Sequence, residues 1–177
     1  MVKVWHILFL LLISLITSCG APNRENHPIG DKQLRNYLES ANRILIESER
    51  QEIVDMIARH NWQMQESETG LWYEIYAKGT GRKANPGDIA VIHYSISLAT
   101  GDLIYASNPQ EPKQFRVGKG GVETGLEEGI LKMSIGDKAR FVLPSHLAHG
   151  VPGDGARIPA RATIVYDVEL LDLLNAQ

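Results

Sequence analysis

The sequence predicts an α+β domain, antiparallel strands packed on one short helix, behind a longer N-terminal helical segment. Three observations predict it. Between residues 70 and 171, short β-prone runs alternate with turns marked by Gly and Pro. In that region Gly125 to Leu131 has the apolar spacing of a helix, through Leu126, Ile130 and Leu131. The stretch from Lys32 to His60 contains neither Gly nor Pro. Strands joined by tight turns pair antiparallel, and a lone helix among them buries its apolar stripe on their sheet. The chain of 177 residues, 44% hydrophobic and 22% charged, has room for one such domain and an appendage. Its net charge of -3 carries no electrostatic footprint for nucleic acid. A single cysteine excludes an internal disulfide.

The first thirty residues read as targeting rather than fold. Lys3 precedes a ten-residue apolar run, Ile7 to Ile16. A membrane span needs ~20 residues, so the run suits the core of a signal peptide over residues 1–18. Small residues then lead directly into Cys19, which resembles a bacterial lipobox. The resemblance implies cleavage before Cys19 and lipidation of its sulfur and new amino terminus. Several acyl chains hold a protein on a membrane where one does not. The bland alternative is an uncleaved apolar anchor with an incidental cysteine. Residues 19–30, rich in Pro, Asn and Gly, read as a tether. No acidic residue follows Cys19 directly, which favours a lipid-anchored address in the cell envelope, on the outer membrane facing the periplasm.

From Asp31 the chain reads as helix to residue 61. Leu34, Leu38, Ala41 and Leu45 form an amphipathic stripe, and Ile53 and Ile57 continue it on a shifted phase. This is one long helix or two breaking near Ser48. It either packs on the following domain or serves as a homodimerisation arm through residues 32–60. Asn61 to Thr69 is a polar connector, and Gly70 to Tyr76 is a first strand. Ile89 to Leu98 alternates as a second strand, with Val91, His93, Ser95 and Ser97 opposite Ala90, Ile92, Tyr94, Ile96 and Leu98. Leu103 to Ala106 and Gln114 to Val117 are short strands. Ala139, Phe141 and Leu143 alternate with charged residues in another. Pro144 to Pro159 is too rich in Gly and Pro for a regular element. Ile164, Tyr166, Val168 and Leu170 share one face of the last strand. The count is four to six strands.

The search for chemistry is mostly negative. Gly118 to Gly125 lacks the GK[ST] ending of a phosphate loop. His146 and His149 have a spacing that metal sites use, but only Asp154 stands near them, so neither metal nor cofactor is expected. No serine has the context of a nucleophile elbow.

What does stand out is a string of fixed types at fixed spacings. GLEEGILKMSIGDKARFVLPSHLAHG followed by IPARATIVYDVELL resembles the C-terminal half of FKBP-type peptidyl-prolyl cis-trans isomerases. Tyr94 in V-I-H-Y resembles a further motif of that family. The resemblance spans residues 70–175. It implies a curved antiparallel sheet around the short helix, with the ligand pocket between them, and proline-containing polypeptides as substrates. The proline cup it implies is Tyr94, Ile104, Phe115, Val122, Leu126, Ile158 and Tyr166. The Glu123 main-chain N–H would bind the carbonyl oxygen, and Tyr105 and His149 would line the rim. Each apolar member of this set would also be a core residue in any such sheet.

Four positions depart from the family pattern. Leu126 replaces a Trp, Ile104 a Phe, Tyr105 an Asp and His149 a Tyr; Lys113 also stands where the rim is commonly aromatic. Two functions follow as expectations. One is an isomerase that assists folding of exported proteins by non-covalent catalysis in an apolar pocket. The other is a weakly active or inactive module that binds extended polypeptide or an envelope partner. The lipobox, helical arm and Leu71-Trp72-Tyr73 opening together look like the gliding-motility-associated lipoproteins of this family.

Overall fold

The computed structural model describes residues 30–175; the expected signal peptide, Cys19 and most of the tether lie outside them. Helix α1, Asp31–His60, is uninterrupted, so the alternative of a break near Ser48 is not realised. The buried residues are not the Leu34, Leu38 and Leu45 stripe, which is exposed, but Ile53 and Met56 farther along. These two pack on Val142 and Val165, with Ile57 and Trp62 beside them. Burying a large aliphatic side chain contributes ~1.5–3 kcal/mol, so two such residues hold this half of α1 in place.

Seven strands make one antiparallel sheet. They are β1 (Gln65–Glu66), β2 (Trp72–Ala77), β3 (Ile89–Leu98), β4 (Leu103–Ala106), β5 (Lys113–Arg116), β6 (Lys138–Leu143) and β7 (Ile164–Leu174). The count exceeds the expected four to six. The polar connector supplies β1, which turns through Ser67–Gly70 and pairs with Trp72 and Tyr73. A two-residue strand is too short to show alternation, which is why its pattern read as loop. The spatial order is β1-β2-β6-β7-β3-β4, with β5 also pairing β3. One edge of β3 is therefore shared: β5 runs along Ile89–Ile92 and β4 along Ser95–Ser97.

The register slips once between the two longest strands, where Val91 pairs Asp172 but Ile92 pairs Leu170. Leu171 is the extra residue, and a bulge of this kind changes which face the side chains take. The buried positions of β7 accordingly step from Leu170 to Leu173. Val91 is buried as well, contrary to the simple alternation expected of β3.

Helix α2, Thr124–Ile130, is the short helix the sequence predicts, and Leu126 and Ile130 are fully buried. It sits so close to β6 that a Cβ on Gly125 would fall 2.6 Å from Leu143 Cγ, and one on Gly129 2.7 Å from the Phe141 ring. The turn after α2 is fixed by Asp137, a buried carboxylate. Its Oδ1 accepts from Gly79 N–H and its Oδ2 from Ser134 N–H, each at 2.7 Å. A buried charge is tolerable only when its oxygens are engaged in this way. The Asp137 main chain continues the tie by accepting from Leu170 N–H at 3.0 Å.

In an ordinary helix Gly→Ala is worth up to ~1 kcal/mol in favour of alanine. At Gly129 the sign should reverse, because the methyl meets a fully buried ring. Gly129→Ala is expected to lower stability by about 1–3 kcal/mol, read as a shift in the urea midpoint at unchanged slope. A midpoint that rises would show that α2 can move off β6.

Candidate active site

The two faces of the sheet have different cores. On the side that α2 covers, Ile104, Phe115, Leu126, Ile158 and Tyr166 are buried in one cluster, with Tyr94, Tyr105 and Val122 partly buried against it. Eight of the ten predicted substrate-binding residues thus belong to one cluster, brought there by six separate segments. The long strands β3 and β7 deliver Tyr94 and Tyr166, whose rings lie 5.8 Å apart and inclined by 46°. β4 delivers Ile104 and Tyr105, and β5 delivers Phe115. Val122 precedes α2, Leu126 lies on it, and Ile158 comes from the loop between β6 and β7.

The other two residues, Glu123 and His149, are joined to each other. His149 Nε2 lies 2.8 Å from Glu123 Oε1, and the Tyr166 hydroxyl donates to Glu123 Oε2 at 2.8 Å. Glu123 occupies the N-cap position of α2, and its carbonyl accepts from Leu126 and Glu127 N–H. Its side chain does not cap the helix; it reaches across to β7 and the loop instead. Among the described residues no acceptor meets the Glu123 main-chain N–H, so that donor is available. Burial, and next the Glu123 carboxylate, push the Tyr166 hydroxyl well above the ordinary phenol range, so it stays a neutral donor.

A second bridge crosses the rim. The Tyr105 hydroxyl donates to Asp154 Oδ2 at 2.6 Å, while Asp154 Oδ1 accepts from Ala156 and Ile158 N–H at 2.8 Å each. The phenol and these main-chain donors together hold the Asp154 carboxyl down at about 2. Two cations finish the rim: Lys113 Nζ lies 5.9 Å from the Tyr94 ring centre, and the Arg157 guanidinium 5.4 Å from that of Tyr105. These are the outer end of cation–π range.

Sequence reasoning missed Asp154 as a rim residue, weighing it only as a metal ligand. An Asp–Gly in a turn-rich segment is a signal for a carboxylate that accepts from main-chain N–H two residues on, and it could have been found. His146 and His149 have different partners: His146 Nε2 meets the Thr69 carbonyl at 3.0 Å. Among the described residues no group of three His, Cys, Asp or Glu is arranged to hold a metal ion. Leu126 is fully buried, so the smaller floor residue is sealed beneath its neighbours. A cleft along α1, lined by Leu45, Ile46, Glu49, Val151 and Pro159, includes none of the ten predicted substrate-binding residues.

The Tyr105–Asp154 bridge carries a pH dependence with a definite sign. A carboxyl depressed in the folded state adds stability above its unfolded pKa, ordinarily near 3.8, and loses it as pH falls through about 2. Tyr105→Phe removes the largest cause. The Asp154 carboxyl resonance should then titrate at higher pH than in the parent chain, toward the ordinary carboxylate range. An unmoved titration would mean that the main-chain donors alone set it.

Comparison with known proteins bears on this arrangement directly. Residues 80–171 match the family described as FKBP-type peptidyl-prolyl cis-trans isomerase. The chain is 42% identical over 110 residues to FK506-binding protein 2 of Candida glabrata, which covers 59% of this chain and 81% of that protein. It is also 42% identical over 106 residues to the FKBP-type peptidyl-prolyl cis-trans isomerase FkpA of Aeromonas hydrophila, covering 59% of this chain and 38% of that one. The crystal structure of a peptidyl-prolyl cis-trans isomerase from Pseudomonas syringae superposes with a TM-score of 0.64 at 26% identity, covering 73% of this chain and 92% of that one. The matched residues begin just after β2 and end in β7, taking in all ten predicted substrate-binding residues, and on that footing the chain belongs to the FKBP-type peptidyl-prolyl cis-trans isomerase family.

Proposed function

We propose that this isomerase works by non-covalent catalysis at the Tyr94–Phe115–Tyr166 cluster, on proline-containing segments of exported polypeptides at the cell envelope. The barrier to be lowered is the loss of amide resonance on twisting, ~18–20 kcal/mol. Uncatalysed exchange takes tens to hundreds of seconds. A planar amide has more charge separation than a twisted one, so a water-poor apolar cup disfavours the ground state more than the transition state. The Glu123 N–H, free of any partner among the described residues, is placed to hold the carbonyl oxygen on one side of the bond. The proline ring then sits against aromatic and aliphatic side chains on the other. No acid, base or nucleophile is required.

The observation that carries this reading is that six segments contribute eight apolar and aromatic positions to the core that α2 covers, next to a main-chain donor with no partner among the described residues. Anchorage at the envelope rests on the sequence alone, on Lys3, the apolar run to Ile16 and Cys19.

Two measurements test it. In a proline-tetrapeptide isomerisation assay the full chain should accelerate exchange, and Tyr94→Ala should lower kcat/KM on the order of tenfold or more. Exchange at the uncatalysed rate with peptide binding retained would make the chain a binding module instead. For anchorage, the parent should fractionate with membranes, begin at Cys19 and carry acyl mass on that residue, whereas Cys19→Ala should retain residues 1–18 and carry no acyl mass. A parent chain that retains residues 1–18 with Cys19 unmodified would point to a simple apolar anchor.

A further inference from the structure

One carboxylate outside the aromatic cluster is hydrogen-bonded to both ends of a loop that contributes to it. Glu49 lies on α1, partly buried, about three turns short of the helix end. Its Oε1 accepts from Ser145 N–H at 2.6 Å and from the Thr163 hydroxyl at 2.9 Å, and its Oε2 from the Ser145 hydroxyl at 3.0 Å. Ser145 and Thr163 are the two feet of the loop joining β6 to β7. A ladder inside the loop links them: Gly150 N–H donates to the Ser145 carbonyl at 2.8 Å, and Arg161 N–H to the Gly150 carbonyl at 2.9 Å. This loop carries His149, Asp154 and Ile158 to the rim and wall of the cluster.

We propose that Glu49 is a positioning residue for prolyl isomerisation, pinning both feet of the 144–163 loop so that His149 and Ile158 stand ready for substrate. The proposal rests on the assignment of the aromatic cluster as the site. The physical argument is one of order before binding. Without Glu49, water can satisfy Ser145 and Thr163 singly, but it cannot hold them to one point. The loop then gains conformational freedom, and substrate must remove it on binding. The cost falls equally on bound substrate and transition state, since both need the loop in place. It therefore appears in KM and leaves kcat nearly unchanged.

The experiment uses the full chain with a proline tetrapeptide. Glu49→Ala should raise KM on the order of tenfold, the scale of one lost charge-assisted hydrogen bond, with kcat within about twofold of the parent. Hydrogen exchange at the Ser145 amide and through residues 146–163 should quicken, while β3 and β7 keep their protection. Glu49→Gln, whose amide oxygen can still accept from one foot, should recover part of the KM. Glu47→Ala, an exposed neighbour on the same helix, serves as the control. Faster loop exchange with an unchanged KM overturns the proposal, as does a fall in kcat at constant KM, or unchanged exchange and kinetics. A parent chain indifferent to Tyr94→Ala would instead overturn the site assignment, and this proposal with it.

Discussion

Everything on the active face depends on how near α2 can come to the sheet. Gly125 and Gly129 are four residues apart, so they lie on the same side of the helix, and both turn toward β6. With hydrogens in place of side chains there, the α2 backbone rests directly on Leu143 and the Phe141 ring. That approach brings Leu126 into contact with the aromatic cluster and aims the helix start, with Glu123, at Tyr166 and His149. The seven-residue helix has little stability of its own, because isolated helices this short do not persist in water. Its place is set by packing, and the packing is set by two missing methyl groups.

The second organising feature is the use of carboxylates as fasteners. Glu123, Asp154 and Asp137 each accept hydrogen bonds from two or more segments. In each case one partner is remote in sequence (Tyr166, Tyr105 and Gly79 respectively), so one side chain closes a long stretch of chain. Hydrogen bonds to a charged acceptor are shorter and stronger than neutral ones. They can therefore hold a loop as rich in Gly and Pro as residues 144–163 without help from regular secondary structure. The apolar cluster provides the surface, and the carboxylates fix the irregular segments around it.

How much of this was legible in the sequence follows from which interactions are local. The alternation of Ala139, Phe141 and Leu143, and of Ile164, Tyr166 and Val168, reports burial on one face and was readable directly. So was α2, from Leu126 and Ile130. The residues of the cluster were reached through family resemblance, since nothing local separates Phe115 as pocket from Phe115 as core. What could not be read depends on pairing over distance. β1 exists only because Trp72 and Tyr73 lie beside it. The slip at Val91 and Ile92 is a property of two strands and is invisible in either one. Glu49 sits among Glu47, Arg50 and Glu52, and no pattern marks it off from a solvated helix face. Asp154 lay between these cases, with a turn signal that was present but read for metal.

The strand order carries one more consequence. β7 lies at the middle of the sheet, flanked by β6 on one side and β3 on the other, yet it is the last strand in the chain. The native partner of β3 and β6 along their inner edges is therefore made after both of them, when residues 164–174 emerge. In this member of the isomerase family the central strand of the sheet, and with it Tyr166 of the aromatic cluster, is thus contributed by the last of the described strands.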